Sequence, residues 1–366
     1  MSLILTFLGK GGTGRTTVAI AAAKRFAVEG KRVLLVGLDP TPAFGLLVGA
    51  SLSAEPQAIE PNLSAVQLQM TSLLERSWDE LKQQEAKYLR SPFLRSVYAQ
   101  ELGVLPGMDS ALALNALREF EASNQYDVIV YDGTGDQTTL RMLAMPDVLS
   151  WYFRRFRQVF ADSDVGKTVT PFIQPIAAAV LNVNWTSGDL FNQPAAQQVT
   201  SVIDQGKAAL ADPNRVAAYL VTTAAPEAIA TARYLWGSAQ QSGLTVGGVL
   251  LNNAELPEGL TSEFSPLSIA PLPAQSGDDW QSIVNALPDL TQAAQAPRPI
   301  AVNVRDRQVS LFLPGFDKKE VKLTQYGPEV TVEAGDQRRN IFLPAELRGR
   351  QVTGAKFQEG YLIISF

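Results

Sequence analysis

Residues Gly9 to Thr16 read Gly-Lys-Gly-Gly-Thr-Gly-Arg-Thr. They match the phosphate-loop pattern G-x-x-x-x-G-K-[ST] at every fixed position but one, where Arg15 stands for lysine. Gly11, Gly12 and Gly14 let backbone N–H groups close around phosphates, and the dipole of a following helix favours the negative charge. The Thr16 hydroxyl is placed to ligate magnesium. This chemistry implies a nucleotide triphosphate, with ATP and Mg2+ as the expected cofactors. Two carboxylates extend the set. Asp39 and Asp132 each end an apolar run, which brings them near the γ-phosphate and the metal. A carboxylate there can hold a metal-bound water (Asp132) or orient the attacking water (Asp39), or it can simply cap the following turn.

Other chemistries are excluded by residue type. The 366 residues contain neither cysteine nor histidine. That removes disulfides, thiolate redox chemistry and iron–sulfur clusters, nearly every zinc site, and nucleophile–histidine catalysis. The formal net charge of −5 gives no support for general nucleic-acid or anionic-membrane binding. No segment reaches the roughly 18 apolar residues of a membrane span. The glycine loop opens at Gly9, which leaves no room for a signal segment, so a cytoplasmic location is expected.

The elements that position these residues follow from hydrophobic patterning. Leu3 to Leu8, Val33 to Leu38 and Tyr126 to Tyr131 are continuous apolar runs, as expected of strands buried on both faces of a parallel sheet. An alanine-rich helical stretch, Val18 to Ala27, follows the loop. Ala217 to Thr222 and Val246 to Asn252 add two more strands around a helix from about Glu227 to Gln241. This alternation predicts an α/β fold, a doubly wound, mostly parallel sheet with its ligand at the carboxyl ends of the strands. Two stretches of helical character, about 63–120 and 149–210, interrupt it and are expected to form a helical subdomain near the site. The composition of 292–299 reads as a linker, dividing an ATPase domain at 1–291 from a β-sandwich at 300–366 built of short alternating runs.

A lysine at the second loop position, Lys10, resembles the deviant Walker A class of P-loop NTPases, which includes ArsA, MinD, ParA and nitrogenase iron proteins. In that class this lysine reaches the partner's nucleotide, which implies a homodimer and a catalytic role for Lys10 beside Asp39. Several segments together are similar to the arsenite-pump and tail-anchored-protein-targeting ATPases: Leu38-Asp39-Pro40, Pro106-Gly107-Met108-Asp109, Asp132 through Arg141, and Thr222-Thr223 through Arg233. The resemblance covers about residues 1–290. It implies that Asn252 reads adenine, that Pro271 lies in the loop beside the base, and that Asp132 holds the metal with Thr16. Nucleotide binding then falls to Gly11, Gly12, Thr13, Gly14, Arg15, Thr16, Thr17, Asn252 and Pro271. Residues 299–366, with Leu313-Pro314-Gly315-Phe316 and Glu359-Gly360-Tyr361, resemble the α-crystallin domain of small heat-shock proteins.

The departures qualify the resemblance. Without cysteine there is no metalloid site and no zinc clamp, which disfavours arsenite transport. Arg15 keeps the charge of a loop lysine but not its shape, so binding is expected to survive better than rapid hydrolysis. The expected function is an ATPase whose nucleotide state governs binding of hydrophobic client segments, with Phe172 to Val183 as a candidate groove element and a transient membrane-receptor contact compatible with the family. Two alternatives are a ParA/MinD-like regulatory switch, to which Arg154, Arg155 and Arg157 offer a small basic face for DNA, or simply a solvated helix face, and a degenerate ATPase that binds nucleotide structurally.

Overall fold

The computed structural model describes residues 1–77, 79, 107–162, 193–277 and 279–366. Residues 80–106 and 163–192, with Pro106 and the Phe172 to Val183 segment, lie outside them. The described residues form an eight-stranded sheet ordered β3-β4-β2-β5-β1-β6-β7-β8. Its strands are β1 (Leu3–Leu8), β2 (Val33–Gly37), β3 (Gln57–Glu60), β4 (Leu63–Gln67), β5 (Val128–Asp132), β6 (Val216–Thr222), β7 (Thr245–Asn252) and β8 (Ile269–Leu272). All neighbours are parallel except β3 and β4, which form an antiparallel hairpin at one edge. The central strands β2, β5 and β6 are buried along their whole length, the environment their unbroken apolar runs require.

Two hydrophobic clusters cover the two faces. On one, α1 (Arg15–Val28) lays Val18 to Ala23 flat against the sheet, its alanines allowing close approach. On the other pack α3 (Met108–Ala122), α4 (Gln137–Asp162) and α6 (Pro226–Ser242). Each fully buried Leu, Ile or Val contributes about 1.5–3 kcal/mol. The short α2 (Pro42–Val48) follows β2, and α5 (Gln193–Ala211) packs on α4, where Gly206 leaves room for the Pro146 ring.

The structure corrects one expectation. Leu63–Gln67 is a buried strand, not the start of the helical insert, and helix begins only at 70. Leu63, Val66 and Met70 have helix-like spacing, but the free edge of β2 claims the segment, pairing Leu35 with Ala65. The stretch at 292–299 is more ordered than a linker composition suggests: Gln292–Gln295 form a 3-10 turn and Ala293 is buried against the sheet.

The C-terminal residues form a sandwich of a four-stranded sheet, β14-β15-β10-β9, and a three-stranded sheet, β11-β12-β13. These strands are β9 (Ile300–Asn303), β10 (Gln308–Phe312), β11 (Val321–Tyr326), β12 (Glu329–Ala334), β13 (Gln337–Phe342), β14 (Gly354–Gln358) and β15 (Tyr361–Ser365). Alternate residues such as Val309, Leu311, Val330, Val332, Leu362 and Ile364 face inward to make its core.

The sandwich sits directly on α6 and α4. Trp236 of α6 meets the Phe312 ring edge-on at 5.6 Å, and Tyr234 meets Phe316 at 5.7 Å. Along α4, Gln137 pairs with Gln337, Arg141 with Asp336, and Trp151 donates to Glu329 at 3.1 Å. Arg154 and Arg155 lie over the Phe342 and Tyr326 rings.

Candidate functional site

The sheet order places the ends of β2, β5 and β1 side by side, with Gly37 opposite Asp132 in register. The loop that leaves β1 therefore opens between the two carboxylate-bearing strand ends and β6. Inside it, the Thr13 N–H and hydroxyl both donate to the Lys10 carbonyl, at 3.3 and 2.9 Å, which closes the turn. A Cβ added at Gly11 or Gly12 would meet nothing, so the mouth of the loop is open to a ligand. Gly14 is constrained in two ways. It adopts φ +88°, and a side chain there would collide with the Asn252 amide.

Asn252 ends β7 and donates its Nδ2 to the Thr13 carbonyl at 2.9 Å. Its Oδ1 is buried without a hydrogen-bond partner. An acceptor left unpaired against a phosphate loop suits a ligand that brings an N–H, as an adenine amino group does. Pro271 lies in the edge strand β8 rather than in a loop, exposed and paired in register with Leu251 beside Asn252. Edge placement accommodates a residue without an N–H.

Thr16 and Thr17 sit half-buried in the first turn of α1. The Thr16 hydroxyl lies close enough to the Asp132 carboxylate to favour its ionised form, so the two expected magnesium ligands are neighbours. Burial pushes the Asp132 carboxyl up to about 6, Asp39 adding in the same direction, while the Thr16 hydroxyl and the Arg15 charge oppose it. A divalent cation would reverse this balance, since it favours the ionised carboxylate. Among the described residues no cluster of three or more carboxylates could hold a metal alone. A magnesium ion here would rest on Thr16, Asp132 and the phosphates, a ligand set that fits it.

Asp39 takes the capping role. It is exposed, and its two carboxylate oxygens accept the Thr41 N–H and hydroxyl, both at 2.9 Å, at the entry to α2. It stays close enough to Asp132 for their charges to interact. Lys10 is exposed at the rim of the loop and makes no ion pair among the described residues.

Arg15 departs furthest from what a loop lysine would do. Its side chain packs on Gly135, in the loop after β5, and faces both Asp132 and Asp136. Burial lowers its pKa and the two carboxylates raise it, with a net decrease. One guanidinium nitrogen, Nη1, is buried without a partner.

Sequence patterns did not single out the residues that brace this arrangement. Gln67, at the end of β4, donates to the carbonyls of Asp39 and Thr41 at 2.6 and 2.8 Å, holding the loop after β2 against the sheet. Asp136 caps α4 by accepting the Thr138 N–H at 2.8 Å and also accepts the Thr134 hydroxyl at 2.6 Å. Thr139 accepts the Gly135 N–H at 3.0 Å. An Asp just before an apolar periodic stretch is a recognisable helix-start signal. Gln67 carried no such signal, because β4 was not foreseen.

A cavity of about 610 Å3 adjoins the loops after β2 and β5, lined among others by Leu38, Pro40, Leu68, Met70, Tyr131 and Met142. No helix of the described residues is long and apolar enough to cross a membrane.

Comparison with known proteins follows the same two parts. Residues 2–267 match a family model described as anion-transporting ATPase, and residues 305–366 match one described as an HSP20-like domain found in ArsA. A putative arsenical pump-driving ATPase of Prosthecochloris vibrioformis is 25% identical over 99% of this chain and 95% of its own length. An uncharacterized protein of Streptomyces coelicolor is 27% identical over 99% of this chain and 96% of its own length. The ATPase GET3 of Malassezia globosa is 28% identical, over 45% of this chain and 47% of that protein.

Proposed function

From the premise that the chain belongs to the anion-transporting ATPase family, we propose that it is a magnesium-dependent, homodimeric ATPase whose nucleotide state governs its hold on apolar client segments, such as tail-anchored helices. The placing of Thr16 at the start of α1 beside the buried Asp132 at the end of β5, beneath an open glycine loop, carries the ATPase part of this reading. Asn252 supports ATP as the nucleotide through its unpaired Oδ1, and the resemblance to tail-anchored-protein-targeting ATPases supports the choice of client. Bound magnesium would neutralise charge on the β- and γ-phosphates. The chain's own residues close the loop around the phosphates, hold Thr16 and Asp132 together, and keep Asp39 at the mouth, where release from Thr41 would free it to orient water. Lys10, exposed and without an ion pair among the described residues, is available to a second subunit. The Arg15 side chain lies over the loop that follows β5, which supports slow turnover.

The alternative switch is not favoured, since Arg154 and Arg155 lie over rings of the sandwich rather than standing free as a basic face. The test is a titration of the purified chain with a fluorescent ATP analogue, with and without magnesium, followed by turnover assays. We expect magnesium-dependent binding, slow hydrolysis that falls about 100-fold in Asp39→Asn, and capture of an apolar helical peptide with ATP but not with ADP. Absence of nucleotide binding at millimolar concentration would remove the ATPase reading. Binding with equal, negligible turnover in the native chain, Arg15→Lys and Asp39→Asn would instead favour a nucleotide held only for stability.

A further inference from the structure

Arg15 occupies the position where a phosphate loop presents its lysine, yet its side chain runs sideways onto the loop that follows β5. A Cβ built at Gly135 would lie 2.7 Å from Arg15 Cδ, closer still to Nη1, and 2.6 Å from the Phe7 carbonyl oxygen. Gly135 also adopts φ +62°, which other residues resist. The guanidinium is therefore seated on bare backbone, in space that exists because residue 135 lacks a side chain. The same loop is tied to the phosphate loop by the Gly9 N–H, which donates to the Gly135 carbonyl at 2.9 Å, and to α4 by Thr139. Asp132 and Asp136 face the guanidinium with charge. Asp136 is in turn the cap of α4.

We propose that Arg15 is a positioning residue for the loop that follows β5: its guanidinium holds residues 133–136 in place without nucleotide, and phosphate competes with that loop for the same side chain. The proposal rests on the ATPase reading only in its second half. Arginine suits the role because a planar, forked cation can lie on a peptide plane and face two carboxylates at once, whereas an ammonium is a compact point charge. The unpaired Nη1 is a donor with nothing to donate to, so a phosphate oxygen offers it a partner the protein does not. Nucleotide binding then withdraws the guanidinium from Gly135 and Asp136 and loosens the start of α4.

Amide hydrogen exchange over 133–140 in the full-length chain tests this, with a non-hydrolysable ATP analogue as the probe. Without nucleotide, Arg15→Lys should exchange about five-fold faster than the native chain across 133–136, as expected when a side chain packed on the loop is lost. Asp136→Asn, which keeps an oxygen to cap α4 but removes the charge, should move exchange the same way and serves if the lysine variant folds poorly. With the analogue bound, native exchange should rise and the native–variant difference should close. A merely structural arginine would keep that difference at every nucleotide concentration, and this result would overturn the competition. Equal exchange in native and variant chains without nucleotide would overturn the contact itself. A nucleotide-free difference together with no binding of a fluorescent ATP analogue by the native chain would support the contact, and would overturn both the competition and the ATPase reading.

Discussion

Single residues at this site carry costs that only a ligand relieves, and Asp132 shows how large they are. Its carboxyl is buried and raised to about 6 from an ordinary 3.8. Between about pH 4 and 6 the folded chain binds this proton more tightly than the unfolded chain. Stability is therefore lost as pH rises through that window, and near pH 7 the ionised group costs roughly 1–3 kcal/mol. Asp132→Asn should stabilise the nucleotide-free protein by about that amount at pH 7, with the gain vanishing below about pH 4, as measured by urea denaturation across pH. The same variant should lose magnesium-dependent nucleotide binding. Gly14→Ala is the opposite case: a side chain at φ +88° pressed into the Asn252 amide should destabilise by about 1–3 kcal/mol and weaken nucleotide binding, read by thermal unfolding with and without ATP. At this scale the sequence was legible where a residue type has one use. Glycines in a phosphate loop, a threonine after it and an aspartate at a strand end admit few other readings. Arg15 was legible as a charge but not as a direction, because its partner, Gly135, is distant in the chain and is marked only by the absence of a side chain. Asp39 was open in the same way: Thr41, two residues on, decides that its oxygens face the turn.

At the scale of elements, β1, α1, β2, β5, β6, α6 and β7 fall where hydrophobic runs place them, since a strand buried on both faces needs an unbroken apolar stretch. The edge elements do not. β4 hides in helix-like spacing, and β8 is four residues long and contains a proline. Their pairing depends on a free sheet edge, which is a property of the assembled fold rather than of the segment. The junction between α4 and the sandwich is also invisible in sequence, because Gln137, Arg141, Trp151 and Arg154 read as an ordinary amphipathic helix. Its contacts differ in strength. Glu329 is mostly buried and receives both the Trp151 N–H and the Arg154 guanidinium, whereas Arg141 and Asp336 are more than half exposed. Glu329→Ala should therefore destabilise the protein by about 1–3 kcal/mol, while Asp336→Ala should cost no more than about 1 kcal/mol, a contrast that chemical denaturation resolves.

The whole molecule is one body with two architectures. Trp236 is fully buried between the α/β core, where it meets Phe264, and the sandwich, where it meets Phe312. Trp236→Ala should cost about 3–5 kcal/mol, the largest single loss predicted here, and should lower the melting temperature of both parts together if they unfold as a unit. The interface also has a consequence for how the protein is made. A ribosome delivers α6 before it delivers Phe312 and the rest of the sandwich, and at about 5–20 residues per second the wait lasts several seconds. During that interval the aromatic face of α6 has no cover. The nascent chain is itself, for that time, a bearer of the kind of apolar surface that chaperones recognise, and this face is covered only when the later-made strands of the sandwich have closed over an earlier helix.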